Sequence, residues 1–150
     1  ITHQLNKIMD AAWLKKNNFQ LAGEFVPKSS NKSGIGVDFH NTSYVNEHTN
    51  WIYAITLNGQ IKYIGETAQT LSQRIRLYYL QSRVDSTNSN MRNRLKKLLS
   101  SGQVVQIYAQ KAPSIMYNSR NITLRVDLEI SFINELNPSW NKKGIKKSVN

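Results

Sequence analysis

Two short segments rich in β-branched and aromatic residues, Trp51-Ile52-Tyr53-Ala54-Ile55 and Lys62-Tyr63-Ile64-Gly65-Glu66-Thr67, flank an Asn58-Gly59 dipeptide. Asn-Gly suits the tight primed turn of a β-hairpin, in which both central residues take positive φ. This hairpin constrains the fold more than any other local signal. It puts Tyr53 and Tyr63 on one small sheet, with Arg74 following on a predicted helix. Two phenols and a guanidinium then come within reach of a single phosphate.

Charge points the same way. Across 150 residues, 20 Lys and Arg stand against nine Asp and Glu, a formal charge of +11. Such an excess favours a polyanionic partner through phosphate neutralisation and counterion release. It does not identify one, since many small proteins are basic without binding nucleic acid. The length suits one domain with a modest core. The chain has no cysteine, which excludes disulfides, thiolate zinc sites and thiol catalysis. No apolar run approaches the roughly 20 residues of a membrane span, and no signal peptide is visible. The expected setting is cytoplasmic, without a membrane partner.

Leu5, Ile8, Met9, Ala12 and Trp13 recur at helical spacing and predict an amphipathic N-terminal helix. Residues 28–50, rich in Ser, Asn, Gly and Thr, read as an irregular segment. Gly34-Ile35-Gly36 lacks the third glycine of a dinucleotide loop, and His40 and His48 have no matching acidic cluster. Thr70 and Gln73 form a capping-box pattern. They open a helix running to about Arg83, with Leu71, Ile75 and Tyr78 or Tyr79 on its buried side. A polar break at 84–88 precedes a second helix carrying Met91, Leu95, Leu98 and Leu99, with Gly102 at its C′ position. Val104 to Ala109 reads as a strand, and Pro113 to Asn121 as a loop. Leu124 to Leu136 reads as a helix stopped by Asn137-Pro138. This order predicts an α+β domain on a small, mostly antiparallel, three-stranded sheet flanked by helices. Residues 1–50 form an N-terminal helix and irregular extension, 51–141 the main domain, and 142–150 a basic tail.

Taken in order, these residues resemble the GIY-YIG nuclease family. Ile52-Tyr53 and Tyr63-Ile64-Gly65 match its paired motifs, with Trp51 where the family often has glycine. Thr67 and Leu71 precede Arg74, and Glu129 lies on a later helix. Leu136-Asn137-Pro138-Ser139-Trp140-Asn141 resembles the closing element of several members. The match spans residues 51–141. The Arg74-Ile75-x-x-Tyr78-Tyr79 and Asp127-Leu128-Glu129 runs are most similar to the phage endonuclease II branch. A tyrosine four residues after the arginine is also shared with GIY-YIG type II restriction enzymes. Glu66 stands where some relatives carry a basic residue; an acid there either repels DNA or points away from it.

The resemblance implies a Mg²⁺-dependent endonuclease, with Mn²⁺ as a substitute, in a bacterial or phage-infected cell. Its substrate would be double-stranded DNA, nicked or broken at short recognition sequences to leave 5′-phosphate and 3′-hydroxyl ends. The implied catalytic set is Tyr53, Tyr63, Arg74, Tyr78 and Glu129, with Glu129 as metal ligand and Gly65 and Asn141 in supporting positions. The chemistry of the residues is compatible. Phosphodiester hydrolysis needs an activated water, stabilised phosphoryl oxygens and help for the leaving oxygen. A carboxylate is a hard ligand suited to Mg²⁺, and one is enough if phosphate and waters complete the octahedron. A guanidinium fork suits a non-bridging oxygen. Tyr53 is the general base implied by the resemblance. Bringing a phenol from its usual value of about 10 to neutrality takes roughly 4 kcal/mol of differential stabilisation, so the metal-bound water network or nearby cations must lower it.

Each residue alone has an ordinary structural explanation. Tyr53 and Tyr63 could be cross-strand packing, Gly65 a bulge, and Arg74 a solvated helix charge. Composition does not separate Glu129 from Asp127 or Glu135; only the resemblance does. Arg76, Arg92, Arg94, Lys96 and Lys97 are the candidate DNA-phosphate contacts. One site cuts one strand, so a double-strand break calls for a homo-oligomer, dimer or tetramer. The N-terminal helix and residues 28–50 are the candidate interface. Two alternatives stand beside this reading: a strict type II restriction endonuclease, and an inactive nucleic-acid-binding module.

Overall fold

A computed structural model describes residues 10–80 and 86–141. The expected hairpin forms from β3 (Thr49–Leu57) and β4 (Gln60–Thr70). Asn58 and Gly59 both take positive φ, 50° and 87°, as the primed turn requires. β5 (Val105–Lys111) pairs antiparallel with β3 on its other side. β3 is thus hydrogen-bonded along both edges, and its residues from Trp51 to Thr56 are buried.

The sheet is larger than the three strands expected. β1 (Gln20–Pro27) pairs with β5, and β2 (Ile35–Phe39) pairs with β1, giving a five-stranded antiparallel sheet in the order β2-β1-β5-β3-β4. The sheet therefore crosses the boundary expected at residue 50. The Ser/Asn/Gly-rich stretch that reads as irregular is in part the turn between β1 and β2, closed by Lys28 N–H donating to Gly34 O at 2.8 Å. Gly34 there has φ +76°. A short helix follows, α2 (Thr42–Glu47), capped by Asn41 Oδ1 accepting from Tyr44 N–H. The helix expected from Leu5 is described as α1 (Ala11–Lys16), N-capped by Asp10. Leu5, Ile8 and Met9 lie outside the described residues.

α3 (Leu71–Tyr79) opens on the complete Thr70–Gln73 capping box. Its expected end at Arg83 lies outside the described residues. α4 (Ser86–Ser100) ends in a Schellman motif: Gln103 N–H donates to Leu98 O and Gly102 N–H to Leu99 O. α5 (Arg125–Leu136) ends at Asn137, whose φ of 47° turns the chain into Pro138. The loop expected after Pro113 is instead a second hairpin, β6 (Ser114–Tyr117) and β7 (Arg120–Thr123). Its turn residues Asn118 and Ser119 both have positive φ. Asn-Ser is a weaker signal than Asn-Gly, since serine carries the Cβ that disfavours that region.

Two cores form on the two faces of the sheet. One joins Trp51, Tyr53 and Ile55 of β3 to Leu71, Ile75 and Tyr78 of α3 and to Leu95 of α4. The other joins Ile52 and Ala54 to Trp13 and Leu14 of α1 and to Phe132 and Ile133 of α5. Strict alternation along β3 produces this division. It places α3 on one face and α5 on the other, with edge strand β4 between them.

Candidate active site

Tyr53 sits mid-strand on the α3 face, directly opposite Gly65 of β4. A Cβ on Gly65 would lie 2.6 Å from both Cζ and Oη of Tyr53 and 2.9 Å from Tyr63 Cε2. The phenol therefore lies across a position where no side chain fits. α3 supplies the partners. Arg74 and Tyr78 are four residues apart and share one helix face. Arg74 Nε donates to Tyr53 Oη at 3.1 Å, and its Nη2 donates to Tyr78 Oη at 3.0 Å. The two phenol oxygens are 2.6 Å apart. The Arg74 guanidinium also lies 4.5 Å from the centre of the Tyr78 ring. The Tyr63 ring completes the cluster, 6.2 Å from Tyr53 and 6.5 Å from Tyr78 between centroids. These contacts bring Tyr53, Tyr63, Arg74 and Tyr78 together.

Proton counting limits what the cluster can do. One hydroxyl donates to the other across the 2.6 Å contact, while Arg74 donates to both oxygens. The second hydroxyl proton must therefore point away from the pair. Arg74 spends three of its five donors here, the third on Asn88 Oδ1 at 3.3 Å. One N–H on each terminal nitrogen stays available, a fork suited to an oxyanion.

Burial narrows one expectation. Tyr53 and Tyr78 have no exposed surface, and the charged form of a phenol is disfavoured there. Burial, with the neighbouring Tyr63, pushes Tyr53 well above the usual phenol range; Arg74 and the Tyr78 hydrogen bond oppose this and do not overcome it. Tyr78 is likewise raised, chiefly by burial. Of the two expected routes to a lower phenol, nearby protein cations do not suffice, which leaves the metal-bound water network.

Glu129 stands on α5, four residues after Arg125 and on the same face of the helix. Arg125 Nε lies 2.6 Å from Glu66 Oε1, so this face of α5 meets β4 at the residue after Gly65. At 1.5 Å rise per residue, Glu129 is about 6 Å further along the axis. Glu66 is thus an ion-pair partner of α5. Among the described residues no three His, Asp or Glu side chains converge. A metal at Glu129 would rely on that carboxylate, substrate phosphate and water, a donor set that fits Mg²⁺.

The closing element wraps the edge of β4. Asn141 Oδ1 accepts from Ile64 N–H at 3.0 Å, and its Nδ2 donates to Ile64 O at 2.9 Å. Trp140 N–H donates to Lys62 O. One side-chain amide so takes the place of a neighbouring strand beside Tyr63 and Gly65. Trp140 packs against the α3-side core, and the Arg94 guanidinium lies 4.8 Å from its ring centre. Trp51, the departure from the family pattern, is buried and donates its indole N–H to His48 O at 2.7 Å.

Among the expected phosphate contacts, Arg76 and Lys97 are exposed, and Arg94 and Lys96 are partly exposed. Arg92 is a correction: it is 6% exposed and donates Nη2 to Leu80 O, closing the end of α3. Helical periodicity places Arg92 beside Met91 and Leu95, so its basic charge misleads. Asn88 and Arg125 escaped the sequence reading. Nothing in a polar run or a helix start marks either; only packing between elements brings them to the cluster and to Glu66.

No protein-family model matches the chain. Endonuclease II of Enterobacteria phage T4 is 34% identical over 104 residues, 65% of this chain and 76% of that protein. The structure of a mutant of bacteriophage T4 EndoII matches with a TM-score of 0.64 and 26% identity, over 87% of this chain and 97% of that one. Restriction endonuclease Hpy188I, solved with product DNA, matches with a TM-score of 0.55 and 19% identity, over 99% and 91% of the two chains. That last likeness is one of fold. The fold and these matches define an endonuclease of GIY-YIG type. At the level of family, the chain belongs with phage endonuclease II.

Proposed function

We propose that this chain is a Mg²⁺-dependent endonuclease of double-stranded DNA. It nicks and breaks DNA at short sequences and leaves 5′-phosphate and 3′-hydroxyl ends. The observation that carries the reading is the hydrogen-bonded Tyr53–Arg74–Tyr78 cluster laid across Gly65. In this reading the two spare N–H groups of Arg74 hold a non-bridging oxygen of the scissile phosphate. The base in this reading is the Tyr53 phenolate, to which Tyr78 and Arg74 donate. It accepts the proton of the attacking water and becomes the neutral phenol, and a bound metal would supply the positive charge that first releases the phenol proton to solvent. Tyr63, partly exposed, orients water or phosphate by hydroxyl donation. Glu129 holds Mg²⁺ or Mn²⁺, which when bound supplies Lewis-acid stabilisation of the phosphoryl and leaving oxygens. Arg76, Arg94, Lys96 and Lys97 contribute phosphate contacts. In the structural comparison the phage enzyme is 26% identical and the restriction enzyme 19%, which favours this reading over strict site-specific restriction.

A double-strand break needs two subunits or two encounters. Trp13 and Leu14 of α1 are spent in the core, while Tyr44 of α2, within residues 28–50, is exposed. The β6–β7 hairpin also exposes Ile115, Met116, Tyr117 and Ile122, a further surface suited to a second copy in a dimer or tetramer. The action is assigned to the cytoplasm; among the described residues no helix is long and apolar enough to cross a membrane.

Glu129→Ala tests the central claim. It is expected to abolish Mg²⁺-dependent cleavage of a plasmid while duplex binding persists. Retained cleavage removes Glu129 as metal ligand, and binding by wild type without cutting in any metal supports the inactive module instead. Sedimentation of the wild type on and off a duplex completes the test; a strict monomer in both states rejects the oligomer.

A further inference from the structure

The Glu66–Arg125 pair joins the edge strand β4 to α5 on the sheet face opposite the tyrosine cluster, and no role above uses its guanidinium. We propose that Arg125 grips a DNA backbone phosphate beside the one being cut, held for that purpose by Glu66 and Asn50. The proposal rests on the reading of this chain as a DNA endonuclease.

Position is the first support. Glu66 follows Gly65, across which the Tyr53 phenol lies, and Arg125 precedes Glu129 by one helical turn on the same face. The guanidinium is therefore flanked by the strand that meets the tyrosine cluster and the helix that carries the metal candidate. Geometry is the second. Arg125 Nε donates to Glu66 Oε1 at 2.6 Å and Nη1 donates to Asn50 Oδ1 at 2.5 Å. Two bonds from different strands fix the plane of the fork, and three of its five N–H groups remain outside these contacts. The Arg125 side chain is 19% exposed, enough to present those donors and too enclosed for a freely moving surface pair. Charge is the third. From Lys111 to Val126 the chain carries Lys111, Arg120 and Arg125 and no carboxylate, and Lys111, whose Nζ donates to Thr49 O next to Asn50, sets a second cation against the carboxylates of Glu66 and, one turn along α5, Glu129. α5 is meanwhile anchored further along by Phe132, Ile133 and Leu136 in the core.

The test is equilibrium binding of the full chain to a short duplex, in chelator to prevent cutting, across a series of salt concentrations. Arg125→Gln removes the charge and keeps an amide donor. It is expected to lower the slope of log affinity against log salt by about 0.9, one phosphate contact fewer. Glu66→Gln keeps an acceptor for Arg125 and is expected to leave the slope unreduced. If Arg125→Gln unfolds because Glu66 is left unpaired, the double variant Glu66→Gln, Arg125→Gln removes both charges and is expected to show the same lowered slope. A folded single or double variant with the wild-type slope makes the pair a structural staple and overturns the proposal alone. A wild-type chain that shows no salt-dependent duplex binding overturns the DNA reading and the proposal with it.

Discussion

At Gly65 the absence of a methyl group decides where a phenol can lie. Gly65→Ala would place Cβ 2.6 Å from the Tyr53 ring and hydroxyl, and Tyr53, with no exposed surface, has nowhere to retreat. Overpacking of this kind costs about 1–3 kcal/mol. A lower Tm and a large loss of cleavage are expected; an unchanged Tm with normal cleavage would show that the ring lies elsewhere. Tyr53→Phe makes the complementary change. It keeps the ring, and loses the hydroxyl contacts to Tyr78 and Arg74. The chain is expected to fold, with stability reduced by about 1–3 kcal/mol for buried partners left unsatisfied. Cleavage is expected to fall about 10²–10⁴-fold, the usual contribution of a positioned acid or base. Near-normal rates would reduce Tyr53 to packing.

Among the elements, β4 is the one under most constraint. It is an edge strand, yet it carries Tyr63 and Gly65 and separates α3 from α5. Edge strands offer unpaired backbone groups to any passing strand. Asn141 answers this by bonding both the N–H and the C=O of Ile64. Asn141→Ala removes both partners, and about 1–3 kcal/mol is expected from groups left unpaired. Hydrogen exchange checks it: the Ile64 amide is expected to lose protection ahead of β3. Equal protection in the variant would show that Asn141 does not hold the edge. The closing motif thus has a mechanical meaning that its sequence resemblance does not express.

For the whole molecule, the two buried phenols tie folding to pH. Burial raises both Tyr53 and Tyr78 in the folded state, whereas unfolded tyrosines ionise near about 10. The folded state holds them neutral, so their contribution is complete below about pH 10 and is lost as pH rises beyond it. Thermal melts from pH 8 to 11 are expected to show a steepening fall in Tm above about 10, smaller in Tyr53→Phe. An equal fall in both proteins would place the alkaline sensitivity elsewhere.

Local chemistry was enough to locate the β3–β4 hairpin, the Thr70–Gln73 cap, the Gly102 stop and the Asn137-Pro138 end. In each, the residues that make the structure are within a few positions of one another. The same locality placed Arg74 and Tyr78 on one helix face. The strand β1 is hidden because it pairs with β5, roughly 80 to 90 residues away in register, and β2 because its partner is β1, while Ser, Asn and Gly in their turn imitate a loop. The β6–β7 turn was hidden because Asn-Ser carries a faint version of the Asn-Gly signal. What the sequence by itself determined is therefore the short-range machinery: turns, caps, the alternation that divides two cores, and the residue types of the site. Only the tertiary structure decided that Arg92 braces a helix end, that Glu66 answers Arg125, and that Tyr53 is buried deeply enough to hold its proton. Ionisation and pairing depend on what stands across a gap between elements, and that neighbour is set by packing rather than by sequence spacing.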